Sequence, residues 1–239
     1  METLINIKQL RAWYTKDKTV LKGLDISLEK NSVIGLIGLN GAGKTTLMNV
    51  ICGLHEGFDI QSADMNGKKI KFSDDSFRMS RYIVFSEDDS FGYFTFDEYV
   101  EYVFSCYDKK TDKALIDDLV EKFGFGEYRS TFIKDLSLGS KRKAYLITGF
   151  ALRPELLLLD EPVNGLDFTS TEALYKLISE YKQYGTVMFS SHILESVTLT
   201  SDKVLVLENG VISKTYSGDE ITAETIRASL GNEEEGQNV

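Results

Sequence analysis

The chain is 239 residues long and carries 37 acidic against 27 basic side chains, a formal charge of -10. That acidic excess argues against a broad nucleic-acid-binding surface, because affinity for phosphate backbones is carried by clustered Lys and Arg. Two widely separated cysteines, Cys52 and Cys106, with no His or Cys at metal-ligand spacing, argue against a disulfide framework or a zinc site and are expected to be reduced, half-buried thiols.

In chain order, the start Met1-Glu2-Thr3-Leu4-Ile5-Asn6 lacks a basic region followed by an apolar stretch, and no apolar run reaches the ~20 residues that span a bilayer. A cytoplasmic chain without direct membrane insertion is expected, any membrane role running through a partner. Residues 4–36 alternate apolar and polar in short pieces such as Leu24-Asp25-Ile26-Ser27-Leu28 and predict antiparallel strands. The apolar run Ser32 to Ile37 predicts a buried strand, followed at once by Gly38-Leu39-Asn40-Gly41-Ala42-Gly43-Lys44-Thr45, which matches G-x-x-x-x-G-K-[ST] at every fixed position. Glycines Gly38, Gly41 and Gly43 let successive backbone N–H groups, with those of Asn40, Ala42 and Thr46, turn toward phosphates without a Cβ clash. Lys44 reaches the β/γ oxygens and Thr45 ligates Mg²⁺. Thr46 to Ile51 continues as a helix whose N-terminal dipole adds to the anion site.

A strand-rich patch over roughly 57–73 holds the turn signal Asn66-Gly67. A strand at Tyr82-Ile83-Val84-Phe85-Ser86-Glu87 precedes a helical region at 95–155, where Phe96, Tyr99, Val100, Val103, Phe104 and Tyr107 recur at helix spacing. From 156 onward strand and helix alternate: Leu156 to Leu159, a helix from about 169, Thr186 to Ser190, a helix, then Val204 to Leu207. This is the pattern of a parallel α/β sheet. Thr169-Ser170-Thr171-Glu172 reads as a capping box opening a helix with the core stripe Leu174, Leu177, Ile178 and Tyr181. The acidic tail 231–239 reads as disordered. Asp160 and Glu161, at the end of the Leu156 strand, suit a metal ligand beside Thr45 and a general base for an attacking water.

With these motifs the chain resembles the ATP-binding cassette (ABC) ATPases over nearly all of residues 4–216. Leu136-Ser137-Leu138-Gly139-Ser140 looks like the family's signature, Gly165-Leu166-Asp167 like its D-loop and Ser190-Ser191-His192 like its switch-histidine strand end. The resemblance implies one nucleotide-binding domain over 1–230, with a P-loop core of mostly parallel sheet, an N-terminal antiparallel β subdomain and a helical insertion at about 90–155. It implies ATP and Mg²⁺ as cofactors, with Ser137 and Gly139 capping the γ-phosphate held by the opposite cassette, Asp167 in the D-loop, and His192 orienting the water with Glu161. Partners would be a second cassette, in a homodimer or heterodimer, and transmembrane permease subunits; nucleic acid is not expected. Tyr14 or Trp13 falls where the family stacks an aromatic on adenine.

Two departures stand out. Glu87 aligns where the family carries a metal-ligating Gln, with Asp88, Asp89 or a solvated acidic loop as alternatives. Leu138 replaces a Gly, giving a Leu-Ser-Leu-Gly signature similar to that of ABC-2-type antibiotic and antimicrobial-peptide exporters. Nine aromatics lie between Phe85 and Tyr107; Phe91, Tyr93, Phe94 and Tyr102 fall outside the core stripe, in a region where the family receives the coupling helix of its membrane subunit. An ATPase driving export is the expectation, with a soluble ABC protein remodelling ribosome or DNA complexes as the alternative.

Overall fold

The computed structural model describes residues 2–15 and 17–230. The expected disordered tail at 231–239 lies outside the described residues. Eleven strands form two sheets among the described residues. The first is antiparallel: β1 (Thr3–Thr15) pairs on one side with β2 (Lys18–Glu29) and on the other with β4 (Phe58–Asp59) and β5 (Ser62–Met65), and β6 (Lys68–Lys69) pairs with β5. Asn66 and Gly67 link β5 to β6 with φ of 53° and 72°, the left-handed pair that a tight hairpin demands.

The second sheet contains β3 (Val33–Ile37), β7 (Arg81–Val84), β8 (Leu156–Leu159), β9 (Thr186–Ser191), β10 (Lys203–Glu208) and β11 (Val211–Ser217), in the order β11-β10-β3-β9-β8-β7. All neighbours are parallel except the β10–β11 edge hairpin. β3 thus leaves the antiparallel company of β1 and β2 for the parallel sheet.

Successive side chains of a strand point to opposite faces, and here both faces are covered. Leu156 and Leu158, with Ile34, Leu36, Met188, Leu205 and Leu207, pack toward the first sheet and α1 (Lys44–Ile51). Leu157 and Leu159, with Val187, Phe189, Val204 and Val206, pack against the helices. Burial on both sides explains why these strands read as unbroken apolar runs.

On the helical side, α3 (Phe96–Cys106), α4 (Lys113–Lys122) and α5 (Leu138–Leu152) form the insertion, after the short α2 (Asp75–Arg78). The stripe Phe96, Tyr99, Val100, Val103 and Phe104 is buried, with Thr95 and Glu98 closing a capping box in front of it. α6 (Phe168–Glu180), α7 (Leu194–Thr200) and α8 (Ala223–Leu230) complete the layer. The cap of α6 differs from the expected Thr169 box: Asp167 is the N-cap, accepting from both the amide and the hydroxyl of Ser170. A carboxylate placed two residues earlier satisfies the free amide of Ser170, so the helix starts at Phe168. Cys52 is partly buried as expected, but Cys106 is exposed because it ends α3 on the solvent side.

Candidate functional site

In an open parallel sheet the loops leaving the carboxyl ends of the strands converge on one crevice. Here β3, β9, β8 and β7 are consecutive neighbours, so the glycine loop, His192, the Asp160-Glu161 pair and Ser86-Glu87 emerge side by side. Strand order, rather than nearness in sequence, assembles the site.

The glycine loop needs its glycines for two physical reasons. Gly41 and Gly43 sit at φ of 83° and 109°, which side chains disfavour, and a Cβ on Gly38 would stand 2.3 Å from the Leu207 carbonyl oxygen. Gly43 caps α1, leaving the first amides of the helix pointing out of the loop. The Lys44 ammonium, 7% exposed, donates to Gly38 O at 2.8 Å and lies 3.6 Å from Glu161 Oε1. A cavity of about 340 Å³ opens over the loop, lined by Tyr14, Lys18, Val20, Asn40, Gly41, Gly43, Lys44, Thr45, Thr46 and Glu161. Tyr14, half-exposed, forms a wall of this cavity and its hydroxyl is 3.3 Å from Thr46 Oγ1, whereas Trp13 does not line it.

The Thr45 hydroxyl donates to Asp160 Oδ2 at 2.9 Å, and Ser190 donates to Asp160 Oδ1 at 2.6 Å. Asp160 is 1% exposed, so both carboxylate oxygens are engaged in a dry setting. A hydroxyl and a carboxylate side by side are the hard oxygen donors that Mg²⁺ takes. Glu161 is gripped on every side. Its amide donates to Ser190 Oγ at 2.9 Å, its carbonyl accepts from Arg142 Nη1 at 2.8 Å, and its Oε2 lies 2.7 Å from His192 Nδ1. Its backbone is left-handed, φ 48°, a conformation that costs a non-glycine residue roughly 1–2 kcal/mol and persists only where the surroundings impose it. His192 itself is exposed, its ring reaching over the crevice.

The remaining predicted residues stand apart from this cluster. Ser137 caps α5, accepting from the Ser140 amide, and Gly139 packs so closely on Gly165 that a Cβ would meet its carbonyl oxygen at 2.2 Å. Asp167 pairs with Lys143 at 2.6 Å, and this bond together with the Ser170 amide pulls its carboxyl down to about 2. Ser137, Gly139 and Asp167 therefore form a second unit, the start of α5 against the Gly165–Asp167 turn, that does not line the cavity. Glu87 is exposed and makes no side-chain hydrogen bond or ion pair with the described residues; its charge is felt by Arg142. Among the described residues no group of three or more His, Cys, Asp or Glu converges as a metal cage. Thr45 and Asp160 are joined, and Glu87 is not joined to them.

Two residues of the site escape sequence reasoning. In the sequence Ser190 is only part of a strand end; in the fold it ties Asp160 to the Glu161 amide. Arg142 sits in the basic triplet Lys141-Arg142-Lys143, where nothing local distinguishes it. The triplet fans out by about 100° per residue: Lys141 pairs with Asp89, Lys143 with Asp167, and Arg142 turns inward, 3% exposed, to the carbonyls of Ser86, Asp160 and Glu161. Burial draws its guanidinium below the usual arginine range, against the opposing pull of Asp160, Glu161 and Glu87.

Comparison with known proteins agrees with this geometry. The family model described as ABC transporter matches residues 21–164. The putative ABC transporter ATP-binding protein AlbC of Bacillus subtilis is 36% identical over 217 residues, covering 89% of this chain and 91% of that protein. The ABC-type transporter ATP-binding protein EcsA of the same organism is 32% identical over 216 residues, covering 88% and 85%. Among solved structures, an ATP-binding subunit of an ABC transporter superposes with a TM-score of 0.81 at 27% identity, covering 96% of this chain and 94% of that one. The chain therefore belongs to the ABC transporter family, as an ATP-binding subunit with ATPase activity coupled to transport.

Proposed function

We propose that this chain hydrolyses ATP between two cassettes and transmits the closure of that pair to separate membrane subunits, as a cytoplasmic protein held peripherally at the inner face of the cell membrane. The observation that carries the reading is the Glu161 carboxylate, suspended between Lys44 and His192 beside the Thr45–Asp160 bond. ATP lies along the glycine loop, its adenine against Tyr14 and its phosphates on the amides of residues 38–46. Lys44 neutralises the β/γ oxygens. Glu161 takes the proton of the attacking water, and His192 holds that water and the γ-phosphate in line. Thr45 and Asp160 would hold Mg²⁺, with Glu87 on the loop after β7 as a further candidate oxygen ligand, and the ion would supply charge neutralisation at the phosphates.

The second unit supports pairing of cassettes. Ser137 and the Gly139 backbone open α5 with donors and a positive dipole end, suited to cap a γ-phosphate bound to another cassette, a second copy or a related chain. Phe91, Phe94 and Tyr102 form an aromatic cluster with ring centroids 5.5–5.6 Å apart, and Tyr93 beside it is 78% exposed. An exposed aromatic surface of this kind suits the apolar face of a docking helix, here the coupling helix of a permease subunit. Export, of a peptide or antibiotic, is the direction we favour from the Leu-Ser-Leu-Gly signature.

Glu161→Gln tests the reading, since it keeps the shape and removes the base. ATP binding is expected to persist while phosphate release falls by roughly 10²–10⁴-fold, trapping an ATP-bound dimer visible by size exclusion. Hydrolysis at the wild-type rate would remove Glu161 as the base.

A further inference from the structure

Arg142 is a charged side chain sealed inside the protein with no carboxylate oxygen among the described residues as its direct partner. Its guanidinium instead donates to three carbonyls: Asp160 O at 3.2 Å, Glu161 O at 2.8 Å, and Ser86 O. These belong to two different loops, one following β8 and one following β7, while Arg142 rides on α5. A planar fork with several fixed N–H groups can bridge carbonyls on separate loops; a lysine ammonium or a glutamine amide cannot reproduce that span. Burying a guanidinium against neutral acceptors is costly, so a core built only for stability would gain from an apolar side chain here.

What the fork holds explains its presence. Glu161 has the left-handed φ of 48°, and its main chain is fastened at both ends, the amide by Ser190 and the carbonyl by Arg142. The carboxylate direction follows from that backbone. If the peptide plane rotated, Oε1 and Oε2 would swing away from Lys44 and His192. We propose that Arg142 is a positioning residue for hydrolysis, acting from the signature helix to hold the Glu161 main chain in the conformation that aims its carboxylate.

This inference rests on the reading of Glu161 as the base, and the experiment separates the two. Arg142→Met, an unbranched apolar side chain without donors, is made in the full-length chain, alone and together with Glu161→Gln. MgATP hydrolysis is measured alongside equilibrium binding of a fluorescent ATP analogue and a thermal melt. The expected result is a kcat lower by roughly 10–100-fold, the range for residues that orient a reactive group. KM and analogue affinity stay within about twofold, because the lost interaction serves the reaction and not ground-state binding. In the Glu161→Gln background Arg142→Met adds little further loss, since the two act as one unit.

A wild-type kcat for Arg142→Met overturns the proposal, as does a KM that rises in step with the fall in kcat. A full, additive loss in the Glu161→Gln background also overturns it. Wild-type hydrolysis by Glu161→Gln alone overturns the base assignment and this proposal with it; an inactive Glu161→Gln beside a fully active Arg142→Met overturns only the role of Arg142. Should the methionine variant fail to fold, Arg142→Lys, which keeps the charge and loses the fork, decides in its place. Lowered kcat at unchanged KM supports positioning, and a wild-type kcat refutes it.

Discussion

Gly139→Ala is the smallest change that tests how the signature sits on the D-loop. The added Cβ would stand 2.2 Å from the carbonyl oxygen of Gly165, where real Cβ atoms essentially never come within 3.0 Å. The neighbour is backbone and not the end of a flexible side chain, so the first turn of α5 or the Gly165 turn must move. Overpacking of this kind costs about 1–3 kcal/mol, and each kcal/mol lowers the melting temperature of a chain this long by roughly 2–4 °C. Displacing Ser137 and the Gly139 amide by a fraction of an ångström is expected to cost roughly 10–100-fold in ATPase rate, as misplacement of positioning groups does. Gly126→Ala is the matched control: its Cβ meets nothing within 4 Å among the described residues and its backbone is not left-handed, so it leaves stability unchanged or raises it by about 0.4–1 kcal/mol. The two variants are compared by calorimetry and phosphate release. A Gly139→Ala protein that melts and hydrolyses like wild type would refute the contact.

At Glu87, Gln is expected to retain ATPase activity and Ala to lose much of it, measured across a Mg²⁺ titration; equal rates for wild type and the alanine variant would remove Glu87 from the metal site. Asp167 gives a pH signature, because the Lys143 bond and the Ser170 amide hold its carboxyl at about 2 against an ordinary 3.8. A lowered carboxylate stabilises above its ordinary value and loses that contribution as pH falls through its folded value. The melting-temperature gap between wild type and Asp167→Asn is therefore expected to be steady above about pH 4 and to close between about pH 4 and 2; a gap unchanged at acid pH contradicts the pairing. Charged substitutions at Phe91, Tyr93, Phe94 and Tyr102 are expected to abolish co-purification with the membrane subunits while leaving ATP binding intact. Undiminished assembly would discard the docking face.

The covalent sequence was sufficient for whatever depends on local spacing. The glycine loop at 38–45 is legible because its chemistry is backbone chemistry: glycine positions set φ, and Lys44 and Thr45 follow at fixed offsets along one turn of helix. The Leu156–Leu159 strand and its Asp160-Glu161 end are legible because a run buried on both faces must be apolar throughout and must stop where the chain reaches the crevice. Even the cap of α6 is legible to within two residues. Reading Thr169 for Asp167 is an error of two residues among several side chains capable of the same bond.

What the tertiary structure alone decided is which distant groups touch. Strand order brings Ser190 from β9 between Asp160 and the Glu161 amide, and no local pattern marks one serine of Ser190-Ser191 as the bridge. That Tyr14, and not its neighbour Trp13, lines the cavity over the glycine loop follows from how the end of β1 is set beside Thr46. Arg142 is the clearest instance. Lys141, Arg142 and Lys143 are three like charges in a row, and only the packing of α5 against β7 and the other helices of the insertion determines that the middle one points inward. A sequence specifies the donors a chain possesses; the direction each one faces is a property of the whole packed interior, where a rotation of one residue along a helix exchanges solvent for the heart of the site.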